Sequence, residues 1–171
     1  MKKSIVLSLL FMTMATCSFA QRFALIDMEY ILKNIPSYNQ GMQQLEQTSK
    51  TYQTEVEAAT NKAKNLYNQY QKQVKSLSET IKTQKENEIV AQEKSAAELR
   101  KNYFGPEGDL AKKREALLNP IQDKIYETVK KIASTKGYNL VLDRASDTSI
   151  IFASPSIDIS DEVLAILGYS K

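Results

Sequence analysis

The chain has 171 residues, a formal net charge of +3, no histidine and one cysteine, Cys17. This inventory excludes His-based catalytic triads and zinc sites built from several His and Cys ligands. The charge is uneven, because residues 37–136 carry an excess of about four basic side chains and residues 137–171 an excess of about three acidic ones. This balance is too weak for a nucleic-acid-binding protein, so no nucleic-acid partner is expected.

The first 20 residues have the organisation of a secretory signal peptide. Two lysines precede a short apolar run at residues 5–14, and Ser18 and Ala20 place small residues before a cleavage site after Ala20. The apolar run is shorter than the roughly 20 residues that a membrane-spanning helix needs. An uncleaved anchor and lipidation of Cys17 are the alternatives to cleavage.

The predicted elements begin with a buried strand at Phe23–Asp27, which is apolar and rich in strand-forming residues. A short helix follows at Met28–Lys33, with Asp27 as its N-cap. Pro36 stops this helix, because its ring clashes with the preceding turn. Ser37 then occupies the position expected for the N-cap of a much longer helix.

No Gly or Pro interrupts the chain between Gly41 and Gly105. Apolar residues recur there at three- and four-residue steps, as in a coiled coil. They are Met42, Leu45, Tyr52, Val56, Ala59, Ala63, Leu66, Tyr70, Val74, Leu77 and Ile81. A helix this long cannot be buried in a compact core, so the sequence predicts a rod that leaves a small body and returns to it.

Two sites could hold the turn between the arms of this rod. Ser76 and Glu79 form a capping box, which is typical of a helix start. Gly105, Pro106 and Gly108 form a stronger local breaker, but a turn there would leave most of the first arm without a partner. We therefore expect the tip within about ten residues of Ser76 to Lys85, and a hinge in the returning arm at Gly105, Pro106 and Gly108.

The returning arm is predicted to end at Gly137, which can adopt the left-handed cap conformation. Two strands, Tyr138–Asp143 and Thr148–Ala153, are expected to follow as a hairpin. A last helix is expected at Asp161–Leu167, capped by the segment Asp158-Ile159-Ser160.

The resulting fold class is α+β: three short strands form a small body, and a long antiparallel α-helical coiled-coil hairpin projects from it. The body would comprise residues 21–36 and 137–171 of a single domain, and the hairpin residues 37–136. Three short strands bury too little apolar surface to be stable alone, so self-association through the strands is expected.

The order of these motifs resembles the Skp/OmpH family of periplasmic chaperones. The resemblance rests on the signal peptide, FALID at residues 23–27, the coiled-coil stretch, YNLVLD at residues 138–143 and DISDEVL at residues 158–164. It implies a periplasmic homotrimer whose sheet is completed by trimerisation. Three helical tentacles would surround a cavity that holds unfolded outer-membrane proteins without ATP, a cofactor or catalysis. The near-neutral mature chain differs from the strongly basic members, which argues against purely electrostatic capture.

Within this scheme the candidate client-binding residues are apolar or aromatic side chains on the rod. They are Tyr52, Leu66, Tyr67, Tyr70 and Val74. The alternative is that these side chains only hold the two arms together, as positions of a coiled-coil seam usually do. Tyr67 is the strongest candidate, because it lies next to Leu66 and outside the seam pattern.

Four lysines form a basic cluster near the expected tip: Lys72, Lys75, Lys82 and Lys85. Such a cluster can contact an anionic membrane surface or acidic client segments. The alternative is an ordinary solvated helix face.

Four aspartates near the C-terminus do not have the spacing of a calcium loop, and we expect them to cap helices and stabilise turns. They are Asp143, Asp147, Asp158 and Asp161. A function of a different class, a structural coiled-coil spacer or adaptor of the cell envelope, also fits the rod. An enzyme does not, because the usual acid, base and nucleophile sets are missing from the sequence.

Overall fold

The computed structural model of the chain describes residues 22–146 and 150–169. The predicted signal peptide, its cleavage site after Ala20 and the lipidation candidate Cys17 lie outside the described residues. No helix within those residues is both long enough and apolar enough to cross a bilayer.

The chain divides into two compact units. The strand unit comprises Met1–Ile31 and Ile125–Lys171, and the hairpin unit comprises Leu32–Lys124. The boundaries expected for the body and the hairpin, within one domain, stay a prediction.

The strand unit contains a two-stranded parallel sheet of β1 (Phe23–Ile26) and β2 (Leu140–Asp143). A parallel pair needs a long crossover, and the whole hairpin unit supplies it here. Helix α1 (Met28–Lys33) follows β1, and the Asp27 carboxylate accepts the backbone N–H of Tyr30 at 2.8 Å. This contact confirms Asp27 as the helix cap.

The expectation of a third strand at Thr148–Ala153, paired with β2 in a hairpin, is wrong for its described part. Ile150 to Ala153 belong to no strand, and Thr148 and Ser149 lie outside the described residues. The other edge of β1 is instead occupied by Asp158, which forms an isolated parallel bridge with Leu25. The hairpin prediction is wrong because the pairing forms around β1. Strand β2 lies along one edge of β1 and Asp158 along the other, and both run parallel to β1.

The C-terminal segment forms α5 (Ser160–Leu167), with Ile159 at the N-cap position. The Asp158 carboxylate accepts the backbone N–H of Ser160 at 2.9 Å, and Gly168 ends the helix in the left-handed conformation at φ 85°. The prediction of a short terminal helix stabilised by Asp158 is thus confirmed.

Arg144 connects three segments of the strand unit. Its guanidinium lies 3.1 Å from the Asp27 carboxylate and 3.5 Å from that of Asp158. The neighbouring Asp143 accepts the backbone N–H of Met28 at 3.0 Å. Asp27, Asp143 and Asp158 therefore each accept a backbone N–H, and Asp27 and Asp158 also pair with Arg144. Asp147 lies outside the described residues.

The hairpin unit is built from three helices and two interruptions. Helix α2 (Pro36–Gln73) is the outgoing arm, and α3 (Glu79–Phe104) with the first part of α4 (Asp109–Lys136) forms the returning arm. Helix α2 begins at Pro36 with Ile35 as its N-cap. The expectation of Ser37 as the cap is wrong, because proline with its fixed φ is well suited to the first helical position.

The tip lies where the sequence predicts it, between Gln73 and Glu79. A 3₁₀ turn at Val74–Ser76 ends the outgoing arm, and Ser78 occupies the N-cap position of α3. The predicted capping box starting at Ser76 is wrong by two residues, because the Ser76 hydroxyl donates to the Gln73 carbonyl within the 3₁₀ turn.

The returning arm is interrupted at Gly105, Pro106 and Gly108, as predicted. A Cβ atom on Gly105 would come within 2.4 Å of the Lys101 carbonyl oxygen. This close approach explains why a glycine stands at the point where α3 ends. Pro120 lies inside α4 without ending it, and Gly137, with φ 71°, follows the last residue of that helix.

Candidate functional site

The two arms of the hairpin pair in antiparallel register. Gly41 faces Leu117, Tyr52 stacks on Tyr103, and the Tyr70 hydroxyl donates to the Glu86 carboxylate, so residue numbers rise on one arm as they fall on the other. The buried side chains along this pairing are sparse: Ala63, Tyr70, Ile89 and Ala96. A seam of this kind holds the arms together with little apolar burial.

Three hydrogen bonds from tyrosine hydroxyls to carboxylates strengthen this seam. Tyr70 donates to Glu86, Tyr103 donates to Glu55, and Tyr52 donates to Asp109 at 3.1 Å. We call them the phenol–carboxylate bonds. Each joins the outgoing to the returning arm, and hydrogen bonds to a charged acceptor are stronger than neutral ones.

The phenol–carboxylate bonds change the acidity of the tyrosines. The hydrogen bond to Glu86, followed by desolvation and the negative charge of that carboxylate, raises the pKa of Tyr70 to about 12. The bond to Glu55 raises the pKa of Tyr103 to about 12 in the same way. For Tyr52, desolvation first and then the bond to Asp109 raise the pKa above its usual value. All three phenols therefore remain neutral donors at physiological pH.

The five candidate client-binding residues occupy different environments. Tyr70 is buried and Tyr52 is stacked against Tyr103 with ring centroids 3.8 Å apart. Leu66 and Val74 are half-buried. Tyr67 is 48% exposed. Tyr52 and Tyr70 thus join the arms, as the alternative interpretation has it, while Tyr67 presents its ring to solvent; client contact stays a prediction for all five.

Other large apolar side chains of the hairpin unit are also exposed. Val90 is 61% exposed and Phe104 is 41% exposed, with Phe104 edge-on to Tyr52 at 6.4 Å between ring centroids. Sequence reasoning did not single out either residue. The sequence signal that could have identified Phe104 is its position directly before the helix breaker. The seam pattern ends there, so a large side chain need not pack between the arms.

An open groove runs between the arms on one side of the hairpin, and we call it the inter-arm groove. It consists of three adjoining recesses of about 790, 680 and 410 Å³. Phe104 lines the first two, and Val56, Thr60 and Arg100 line the second and third. The recesses are therefore continuous from the helix break toward Tyr67, which lines the last of them.

The lysine cluster lies at the tip, as predicted. Lys72 is in the last turn of α2, Lys75 is in the 3₁₀ turn, and Lys82 and Lys85 are in the first turns of α3. Lys82 pairs with Glu79 at 2.7 Å. Contact of these lysines with a membrane or a client stays a prediction.

The described residues contain no group of three or more His, Cys, Asp or Glu side chains that could hold a metal ion. What the hairpin offers is an elongated surface with scattered apolar side chains and an open groove. Such a surface can bind extended or adaptable partners by many weak contacts.

Comparisons with known proteins agree with this architecture, an α+β fold that combines a small sheet with a long helical hairpin. Residues 22–167 match the family described as outer membrane protein (OmpH-like), and the chain belongs to this family.

The chain is 24% identical over 145 residues to "Chaperone protein Skp" of Yersinia enterocolitica, covering 85% of each protein. The fold is similar to the crystal structure of a putative outer membrane chaperone (OmpH-like) from Caulobacter crescentus. The TM-score is 0.65 at 12% identity, over 85% of this chain and 82% of the other.

Proposed function

We propose that this chain is an ATP-independent periplasmic holdase that binds unfolded outer-membrane proteins and prevents their aggregation. The observation that carries the proposal is the exposure of Tyr67, Val90 and Phe104 along a hairpin whose arms are joined largely by polar bonds. Membership of the OmpH-like family, with a relative called a chaperone, supports it.

The mechanism follows from the kind of surface that the hairpin presents. Single exposed apolar side chains separated by charged residues bind an unfolded chain weakly at each point and strongly in sum. Weak individual contacts exchange fast, so release needs no nucleotide. No chemical step is required, and we propose that the chain is not an enzyme and carries no cofactor.

We further propose a homotrimer in which the strand units associate. The sheet of two short strands is too small to be stable alone. Apolar side chains of β2 and of the segment after it are exposed: Leu140 45%, Leu142 37%, Ile151 99% and Phe152 84%. Burying such a patch between copies of the chain would remove it from water. Three hairpins would then enclose the client in a common cavity, with the lysine cluster at their tips.

An aggregation assay tests the chaperone function. An outer-membrane barrel protein is diluted from urea into buffer with a stoichiometric amount of the purified mature chain, and light scattering is followed without nucleotide. We expect scattering to be suppressed relative to an unrelated folded helical protein. Aggregation at the same rate with and without the chain would contradict the proposal and favour the spacer or adaptor role. The molar mass of the chain alone, from light scattering, tests the trimer.

A further inference from the structure

The inter-arm groove is confined to one side of each helix. Along α2 its lining residues step by three or four positions from Asn39 to Tyr67, and along α3 they step likewise from Glu93 to Phe104. Residues with this spacing share one helix face. Its wall therefore consists of one stripe on α2 and a facing stripe on α3 and the start of α4. The recess at the break after Phe104 has the largest volume of the three.

The groove has a mixed lining, with apolar side chains placed along it among polar and charged ones. Its apolar members include Met42, Leu45, Val56, Phe104 and Leu110. Each recess has a volume in the range typical of ligand sites, about 300 to 1,000 Å³. The groove can therefore take apolar side chains at several points along its length.

The charges that border the groove are not balanced. On the outgoing arm, Glu46 pairs with Lys50 at 2.7 Å and Glu57 accepts from the Gln53 amide at 3.0 Å. On the returning arm, Arg100 and Arg114 have no hydrogen bond or ion pair with any described residue.

The recess nearest Tyr67 adds one charge of each sign, Lys64 and Glu93. With Glu46 neutralised by Lys50, three basic side chains of the lining, Arg100, Arg114 and Lys64, stand against two acidic ones, Glu57 and Glu93. The groove therefore keeps a small positive excess of one charge, which favours a carboxylate on the bound segment.

The length of the groove fits a particular occupant. From Asn39 to Tyr67 the outgoing arm rises about 42 Å, at 1.5 Å per residue. A transmembrane β-strand of about 9 to 11 residues extends about 30 to 36 Å at 3.3 Å per residue. Such strands alternate apolar and polar side chains, so one face can enter the groove while the other remains in water.

We propose that the inter-arm groove binds a single extended client segment of about 10 residues with alternating apolar side chains. Its apolar face would lie along Phe104 and the recesses, and either Arg100 or Arg114, which line different recesses, would pair with a carboxylate at the edge of its polar face. This inference rests on the proposed holdase function and assigns the part of the client that the hairpin recognises.

Site-directed photo-cross-linking tests where such a segment binds. In a Cys17→Ser background, Ser49→Cys places a thiol in the groove, and the matched Ser95→Cys places one on an exposed position of α3 outside it. Benzophenone is attached to each thiol. The probe is an 11-residue peptide with alternating apolar and polar residues and one Glu.

The expected result is cross-linking at the Ser49→Cys site several-fold above the Ser95→Cys site. A scrambled peptide of the same composition should lose this preference. Equal cross-linking at the two sites would overturn the proposal. A cross-link mainly to a second copy of the chain would also overturn it, because the groove would then be a self-association surface.

Affinity measurements on substituted chains test the residues. Phe104→Ala should weaken peptide binding about tenfold, as expected for an aromatic side chain that the bound peptide covers. Tyr126→Ala, which removes an aromatic side chain that is 65% exposed on α4 and lies outside the groove lining, is the control. Arg100→Gln with Arg114→Gln should weaken binding of the Glu peptide about fivefold, but not of its Gln counterpart. Lys94→Gln with Lys113→Gln is the control for charge, and circular dichroism verifies that each variant is folded.

The same variants separate this proposal from the holdase function. If the groove variants bind the peptide as well as the controls while the parent chain still suppresses barrel aggregation, the groove assignment is wrong and the chaperone function stands. If the parent chain neither binds the peptide nor suppresses aggregation, the chaperone function itself is wrong.

Discussion

The strand unit and the hairpin unit are stabilised in different ways. The largest side chains that are almost completely buried, Ile31, Ile125 and Val163, all belong to the strand unit. There, Arg144, which follows β2, also pairs with Asp27, which follows β1, and with Asp158, which precedes α5. The hairpin unit instead combines a seam with few buried side chains, two of the four being alanines, with the phenol–carboxylate bonds.

This difference indicates that the two units of this short chain have different structural roles. A closely packed core fixes one arrangement, because each of its side chains contacts many others. A seam held by separated polar bonds lets the arms stay paired while large apolar side chains remain exposed. A surface that binds varied unfolded chains needs this second kind of construction.

The largest expected effect comes from opening a cavity in the strand unit. Ile125→Ala removes a fully buried side chain and should lower the free energy of unfolding by about 2 to 5 kcal/mol. Ile89→Ala at the seam should cost less, because the neighbouring arm can close around a small gap. Urea denaturation followed by circular dichroism measures both. Equal losses of unfolding free energy in the two variants would contradict the difference in packing between the strand unit and the hairpin unit.

A second expected effect concerns the hinge in the returning arm. Replacing Gly105, Pro106 and Gly108 together by alanine removes the breaker and favours a continuous helix. We expect helicity to rise and the range of client sizes to narrow, because the arm can no longer bend. Aggregation assays with a small and a large barrel measure this. The Pro120→Ala variant is the control, and unchanged protection of both barrels would contradict a hinge at this position.

The phenol–carboxylate bonds predict an alkaline transition of the hairpin. The pKa values of Tyr70 and Tyr103 are raised to about 12, above the ordinary value of 10.0. A raised tyrosine pKa stabilises the folded state below the unfolded pKa, and this contribution is lost as the pH rises from about 10 to about 12. Ultraviolet titration should show two late-ionising tyrosines, together with loss of helicity.

Tyr70→Phe combined with Tyr103→Phe is the matched test of these bonds. The double variant should unfold at a lower temperature at neutral pH and lack the late ionisation. Retention of the late ionisation in the variant would show that other tyrosines are responsible.

The smallest expected effect concerns the lysine cluster at the tip. Replacing Lys72, Lys75 and Lys85 by glutamine should reduce binding to vesicles rich in anionic lipid, by up to about 1 kcal/mol per lysine. Added salt should weaken the binding of the parent chain in the same way. Co-sedimentation measures both. Replacing lysines of α4, such as Lys130 and Lys131, provides the control, and absence of vesicle binding by the parent chain would contradict the prediction.

Much of the fold follows from local signals in the sequence. The helix breaker at Gly105, Pro106 and Gly108, the cap at Asp27 and the stop at Gly137 each depend on the conformation of a few adjacent residues. The position of the tip near Ser76 was predicted correctly, but the N-cap of α3 was not. The reason is that Ser76, the first residue of the predicted capping box, belongs to a 3₁₀ turn.

Pairings over long sequence separations were harder to predict. The parallel partners of β1 lie more than one hundred residues away, and the order of strands along the chain suggested a hairpin instead. Similarly, the sequence left open whether Tyr52 and Tyr70 contact clients or hold the two arms together. Their engagement with Asp109 and Glu86 depends on how the two arms align.

Local sequence signals were enough to predict the long two-armed helical element, the places where it turns and breaks, and the family that the chain resembles. These properties depend on local backbone preference and on the period of apolar residues. The tertiary structure alone decided which strands pair, which tyrosines are bound by carboxylates, and that a groove lined by Phe104 and two unpaired arginines runs between the arms. The reason is that these features depend on the register of one arm against the other.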